Sequence, residues 1–469
     1  MNRLLPIVLA VALFMEQMDS TVIATSLPAI AKDIGTGPIA LKLALTAYLV
    51  SLAIFIPVSS WMADRFGARR VFRAAIAVFM VGSLACAVSG SLGEFVAARF
   101  LQGMGGSMMT PVARLILVRG TPRSDLVRAM AWLTIPALVG PLVGPPLGGF
   151  ITTYFSWHWI FLINLPIGAI GIFFAGRVLP DMPGHRDRAI DWTGFALSGL
   201  AASGIVFGLS VISLPALPPV VGAVTATVGI VCAVLYVRHA RRAATPLLDL
   251  ALLKNDAFRA AIVGGNLFRI GVGAIPFLLP LFFQLGFGLN PFQSGLLTFA
   301  SAGGALLMKF FAAPILKAAG FRIVLSSAAV LGACLIAANA LFTPHTPWLV
   351  ISGVLLAAGF MRSLFFTSAN ALTFADIDDT EASQATAISS VSQQVTIALG
   401  VAVAGGILEV VAFWSGHLTI TAFEIAFVAV AMISALAALP FLRLPLDAGQ
   451  TVSGHRPKVQ SVEAQSPPV

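Results

Sequence analysis

The chain has 469 residues, of which 58% are hydrophobic and only 10% charged, and its mean hydropathy is +0.96. That balance excludes an ordinary water-soluble globular domain and describes a protein that crosses a membrane many times. Its 28 Lys and Arg against 19 Asp and Glu give a net charge of +9, but the basic residues follow the topology instead of gathering on one soluble face, which argues against a nucleic-acid partner.

Crossing about 30 Å of hydrocarbon takes about 20 apolar residues. Fourteen such runs follow one another, at 6–27, 40–60, 71–90, 95–116, 129–151, 158–177, 193–212, 217–237, 259–284, 294–315, 322–342, 347–369, 385–408 and 419–442. The first carries Glu16 and Asp19 and has no signal-peptidase pattern, so it reads as a retained helix. Every second connection is basic: Arg65, Arg69, Arg70 and Arg73 after the second run, Arg119, Arg123 and Arg128 after the fourth, Arg177, Arg186 and Arg188 after the sixth. The opposite connections offer only Lys32 and Lys42. With an even number of spans, this bias places both termini in the cytoplasm.

The fifth run contains GPLVGPPLGG over 140–149, with Gly140, Pro141, Gly144, Pro145, Gly148 and Gly149. Such a stretch would break a helix in water. In lipid, neighbouring helices re-satisfy the backbone and glycines allow close helix contact, so it reads as a bendable, tightly packed helix. An internal echo links DRFGAR over 64–69 with KAAGFR over 317–322, where Gly67 and Gly320 hold equal places in tight turns. It suggests two related halves around a central cavity. The expected division is a six-helix bundle over 1–190, an inserted hairpin over 191–238, a second six-helix bundle over 239–445 and a disordered tail over 446–469.

Ionisable groups inside a membrane cost about 2.5–3.5 kcal/mol each at the bilayer centre and usually serve a function. Glu16 and Asp19 lie three apart, hence on one face of the first helix, and Arg99 lies in the fourth run. Together they form a candidate proton-coupling set, the alternative being a structural ion pair. Arg269, Lys309 and Arg362 form an unusual basic set in the second half, suited to an anion; Lys309 sits near a span end, where it can equally snorkel to the surface. Gln102, Gln284, Asn370, Gln393 and Gln394 are further candidates to line a cavity. Phe277, Phe282 and Phe283 fit core packing better than a binding pocket. Cys86, Cys232 and Cys334 are dispersed and read as small buried residues, and the scattered histidines give no metal-ligand spacing.

These motifs resemble the major facilitator superfamily and its fourteen-helix drug:proton antiporter branch over nearly the whole chain. ADRFGARR over 63–70, with Asp64, Arg65, Gly67 and Arg69, resembles the loop motif after the second helix, although Ser60 stands at a usual glycine. RFLQGMGG over 99–106 resembles the fourth-helix motif, whose arginine is implicated in proton coupling, and the Gly/Pro run resembles the antiporter motif of the fifth helix. DSTVIATSLP over 19–28 resembles the branch's first-helix signature, with Ala24 at a usual asparagine. WHWIFLINLPIG over 157–168 is a further branch signature, with His158 at the usual arginine; that variant and PVARL over 111–115 are similar to the bacterial multidrug-resistance D-type exporters.

The resemblance implies an all-α polytopic protein with the major facilitator fold, two six-helix bundles plus an inserted hairpin, and a monomer in the bacterial inner membrane. It implies a proton-driven antiporter exporting small lipophilic or amphipathic compounds, with the proton gradient in place of any cofactor. No Walker loop, nucleophile elbow or zinc-protease pair points to an enzyme. Two other readings stay open: an exporter of a small organic anion or its metal chelate, and a membrane sensor that does not transport.

Overall fold

The computed structural model describes residues 4–122, 126–182, 184, 190–212, 217–244, 246–378 and 381–453. Fourteen long helices run in chain order: α1 (Leu4–Asp33), α2 (Pro38–Phe66), α3 (Ala68–Val88), α4 (Leu92–Gly120), α5 (Leu126–Tyr154), α6 (Trp159–Val178) and α7 (Trp192–Val211). They continue as α8 (Pro219–Ala240), α9 (Asp256–Gly286), α10 (Pro291–Met308), α11 (Ala312–Ala338), α12 (Trp348–Thr373), α13 (Ala382–Ser415) and α14 (Ile420–Leu442). Among the described residues, 11 helical stretches are long and apolar enough to cross a membrane by composition alone; α4, α5 and α10 complete the set at 29, 29 and 18 residues. The ends of the bundle are here called proximal, where the chain enters α1 and leaves α14, and distal, the opposite end.

Local chemistry fixes the helix ends. Ser91 accepts from the Glu94 N–H at the start of α4, and Asn290 with Gln293 forms a reciprocal capping box before Pro291 at the start of α10. Gly67 turns between α2 and α3 at φ +91°, and Gly320 breaks α11 at φ +70°. The two echoed glycines therefore share the left-handed region that side chains avoid. The Gly/Pro run does not interrupt α5, which stays helical from Leu126 to Tyr154.

The first half packs α1 on α5, α2 and α3 on α4, and α6 on α1 and α3; the second packs α9 on α13, α10 on α12, and α11 on α12 and α14. The halves meet where α2 lies on α13 and α5 on α10. The hairpin of α7 and α8 closes on a glycine seam, Gly204 against Gly229 and Gly208 against Ala226, and α7 touches both α2 and α13. Val220, Val224, Val228 and Val231 on α8 are exposed, a surface suited to lipid.

The apolar core is divided unevenly. At the distal end one cluster takes Ile23, Leu27, Phe95 and Phe161 from the first half together with Phe277, Phe282, Phe423 and Leu408 from the second. At the proximal end each half has its own cluster, around Phe72 and Phe79 in the first and around Phe268, Phe321 and Phe441 in the second. Phe277, Phe282 and Phe283 are fully buried core residues. Cys86 and Cys232 are buried, but Cys334 is exposed on α11, where the apolar solvent of a bilayer makes exposure inexpensive for a thiol. Past α14 the chain forms a short helix, Gln450–Ser453, with Gly449 against Phe321; residues 454–469 of the expected tail lie outside the described residues, as do Arg123, Arg186, Arg188 and Asp379 of the connections.

Candidate functional site

Asp19 is fully buried in the middle of α1, and three side chains converge on its carboxylate. Arg99 Nη1 donates to Oδ2 at 2.7 Å; Gln102 Nε2 and Asn164 Nδ2 each donate to Oδ1 at 2.8 Å. Ser83 on α3 accepts from Gln102 at 2.7 Å and from Asn164 at 3.2 Å, and Arg99 also donates to Gln102 Oε1. The guanidinium lies over the Tyr48 ring at 4.3 Å. A buried carboxylate survives only when its charge and lone pairs are met. Helices α4 and α6 supply the donors that Asp19 requires, and Ser83 of α3 accepts from two of them.

Glu16 faces α4 as well, one turn away, but its partner is Thr110, whose hydroxyl donates to Oε2 at 2.9 Å. Arg99 thus pairs with Asp19 and not with Glu16. Gln102, expected to line the cavity, is fully buried and belongs to the Asp19 network. Asn164, Ser83, Tyr48 and Thr110 were not singled out by the sequence, although Asn164 stood inside a recognised signature.

The conformational motifs surround this network. Asp64 accepts from Arg119 Nη2 at 3.0 Å, tying the turn after α2 to the end of α4, and Arg69 donates to the Gly176 carbonyl of α6. The Arg65 guanidinium lies 5.8 Å from the centre of the Trp61 ring. On α5, added β-carbons at Gly144 and Gly148 would overlap Thr21 Oγ1 and the Val22 carbonyl of α1, and one at Gly140 would stand 3.0 Å from Met18 N. The other face of the run meets the second half: a β-carbon at Gly149 would overlap the Pro291 carbonyl, and one at Gly295 the Pro145 carbonyl. Pro141 and Pro145 are half-buried on this helix. α5 therefore joins the helix that carries Asp19 to the opposite half of the molecule.

The other candidates are dispersed. Gln284 donates to the Thr25 carbonyl at 2.9 Å, a contact between halves. Lys309 is exposed and donates to Thr367 Oγ1 at 2.9 Å; Asn370 is exposed on α12, and Gln393 and Gln394 are half-buried on α13. Arg269 is 5% exposed, with its guanidinium 5.0 Å from the Phe366 ring centre, and Arg362 is half-buried in a cleft with Phe268, Ser301 and Asn339. Neither arginine has a carboxylate within salt-bridge distance among the described residues.

Lys42 corrects its sequence assignment. Counted there among loop residues, it is fully buried within α2 and forms a salt bridge with Glu409 of α13. Glu409 went unnoticed because the thirteenth apolar run was expected to end at 408, whereas α13 continues to Ser415.

The sequence matches the Major Facilitator Superfamily over residues 9–198 and 261–465. It is 36% identical over 458 residues, 96% of each chain, to a protein named multidrug resistance protein MdtD in Escherichia coli (strain K12), and equally to its counterpart in Shigella boydii serotype 18. The fold is similar to a D-xylose-proton symporter (TM-score 0.68, 14% identity, 95% of this chain and 98% of that one) and to the peptide transporter POT (TM-score 0.69, 14% identity, 96% of each).

Proposed function

Because the chain belongs to the Major Facilitator Superfamily, a family of transporters and not of enzymes, we infer that it is a proton-coupled antiporter exporting small lipophilic or amphipathic compounds. The reading places it in a bacterial inner membrane, with the proximal end and both termini in the cytoplasm, and has the bundles over 1–190 and 239–445 rock about the central seam with 191–238 as an insert. The monomer suffices, and the proton gradient supplies the energy.

The observation that carries this reading is the burial of Asp19 against Arg99, Gln102 and Asn164, two residues from the point where Thr21 meets Gly144. Protonating Asp19 removes the charge that holds Arg99. The guanidinium then seeks another acceptor, and α1 and α4 lose the bond that fixes their mutual position. Since α1 packs directly on the glycines of α5, and α5 touches α10 on its other face, that change reaches the seam between the halves. Substrate and proton act on one equilibrium, and their couplings are reciprocal. The test is export in proteoliposomes with an imposed pH gradient: wild type accumulates a lipophilic cation uphill, and Asp19→Asn loses uphill transport at least tenfold while downhill exchange persists. Unchanged uphill transport by Asp19→Asn sinks the assignment.

A second reading is favoured by Arg269 and Arg362, two cations of the second half without carboxylate partners among the described residues. They suit an organic anion or its metal chelate as the exported solute.

A further inference from the structure

The halves share one apolar core at the distal end and keep separate cores at the proximal end. Into the shared end the fold brings Lys42, near the start of α2, and Glu409, near the end of α13, 367 residues apart. Lys42 is fully buried and Glu409 is 8% exposed; the ammonium donates to Glu409 Oε2. α13 is shaped for the lysine: one turn before the acid stands Gly405, where a β-carbon would overlap Lys42 Cδ. Asp19 is held by Arg99, Gln102 and Asn164, and the cycle described above does not use this pair.

Burying two opposite charges in a helix seam adds little net stability, because the desolvation cost offsets most of their attraction. Its consequence is geometric. Parting the two charges inside the seam would forfeit the attraction that offsets their desolvation, so two arrangements are favoured: both charges buried together, or both in water. A partly open seam is not. An ion pair in this place makes opening of the distal end an all-or-none event, which a continuous apolar contact would not do.

We propose that Lys42 and Glu409 form the distal latch of the transporter. The pair stays buried and intact while the proximal side is open, and its two charges separate and hydrate together each time the molecule opens distally. This rests on the alternating-access reading above, under which the distal end faces outward. The Gln284 bond to Thr25 and the contact of the Phe292 N–H with Thr153 Oγ1 at 3.1 Å also join the halves, through other helices, but both are neutral and lose little when water replaces the partner.

The test uses the full chain with Cys86, Cys232 and Cys334 replaced by alanine, and a reporter Ala404→Cys in the shared core. Labelling is with a membrane-impermeant maleimide applied to the distal side, which needs no substrate. The paired variant Lys42→Met with Glu409→Gln keeps both volumes and leaves no lone charge, so it is expected to keep the fold, checked by its melting temperature; its labelling rate is expected to rise at least fivefold. The charge-swapped pair, Lys42→Glu with Glu409→Lys, is expected to return labelling to within twofold of the parent. Labelling of the neutral pair equal to the parent overturns the latch. Loss of export by Asp19→Asn is read independently, so the latch and the proton assignment fail separately.

Discussion

Thr21 Oγ1 occupies the space that a β-carbon at Gly144 would fill, and its hydroxyl is held there by hydrogen bonds to the Gln17 and Met18 carbonyls at 3.1 and 3.0 Å. Gly144→Ala must therefore push α5 from α1 or turn Thr21 out of its bonds. Overpacking of this kind costs about 1–3 kcal/mol. We expect Gly144→Ala to lower the melting temperature of the detergent-solubilised protein and to reduce uphill export more than tenfold. Gly140→Ala, where the nearest atoms stand at 3.0–3.1 Å, is expected to be milder on both measures. The double variant Gly144→Ala with Thr21→Ala should recover part of the stability, because it removes the overlap itself. No recovery would mean that the seam is not set by this contact.

Gly67 and Gly320 make a paired prediction. A side chain in the left-handed region costs about 1–2 kcal/mol, so Gly320→Ala should destabilise by that amount. Gly67→Ala should cost more than this backbone strain alone, because its β-carbon would also stand 2.7 Å from the Met182 carbonyl oxygen. Thermal unfolding of both variants in one detergent gives the order directly. A loss at Gly67 no larger than the backbone strain would show that the segment around Met182 yields freely.

Those two glycines mark how far a sequence of this kind can be read. Apolar runs of about 20 residues disclose the spans because the bilayer imposes their length, and a tight turn between antiparallel spans needs glycine wherever the backbone turns left-handed. Asp19 and Arg99 were legible because charge is so rare within such runs. The partners of Asp19 were less so: Gln102 and Asn164 carry no charge, and whether an amide faces a cavity or a carboxylate depends on helix rotation, which apolar periodicity fixes poorly when every face is apolar. Lys42 and Glu409 left no local pattern at all. Each stands near a helix end, where charged residues are ordinary, and only the packing of α2 on α13 shows that both are buried together.

Asp191, just ahead of α7, gives a pH dependence outside the membrane spans. Burial by itself would raise the pKa of its carboxyl, but hydrogen bonds from the Gly194 N–H at 2.8 Å, His239 Nε2 at 2.8 Å and the Leu247 N–H at 3.2 Å outweigh it and hold the pKa below the usual aspartate value. A carboxyl depressed by folding contributes stability that is complete above its unfolded pKa of about 3.9 and fades as pH falls through the lower folded value. Asp191→Asn should accordingly melt below wild type at neutral pH, and the gap should narrow as the solution is acidified below about pH 4. A gap that stays constant across that range would show that the contribution is not electrostatic. Since Asp191 fastens the start of α7 to the end of α8 and to the segment beyond it, the same variant should loosen the hairpin, read as faster proteolysis near residue 244.

The charge of the exported solute turns on Arg269 and Arg362. Both stand on helices of the second half beside the same aromatic cluster, Arg269 over the Phe366 ring and Arg362 one helical turn before it, in a cleft with Phe268. A guanidinium without a carboxylate partner attracts an anion and repels a cation by equal amounts. At an effective dielectric of about 20 and a separation of about 8 Å, that interaction is about 2 kcal/mol, so hydration still leaves a change of about tenfold in affinity. If the two arginines face the transport path, Arg269→Gln with Arg362→Gln should raise the apparent affinity for a lipophilic cation and lower it for a carboxylate dye, each by about tenfold. Competition assays in proteoliposomes measure both on one preparation. A shift confined to the carboxylate would favour the organic-anion reading, because a cation exporter would then bind its solute beyond the reach of these charges. If neither affinity moves, the two arginines lie outside the path and the anion reading loses its basis, leaving the lipophilic compound as the solute.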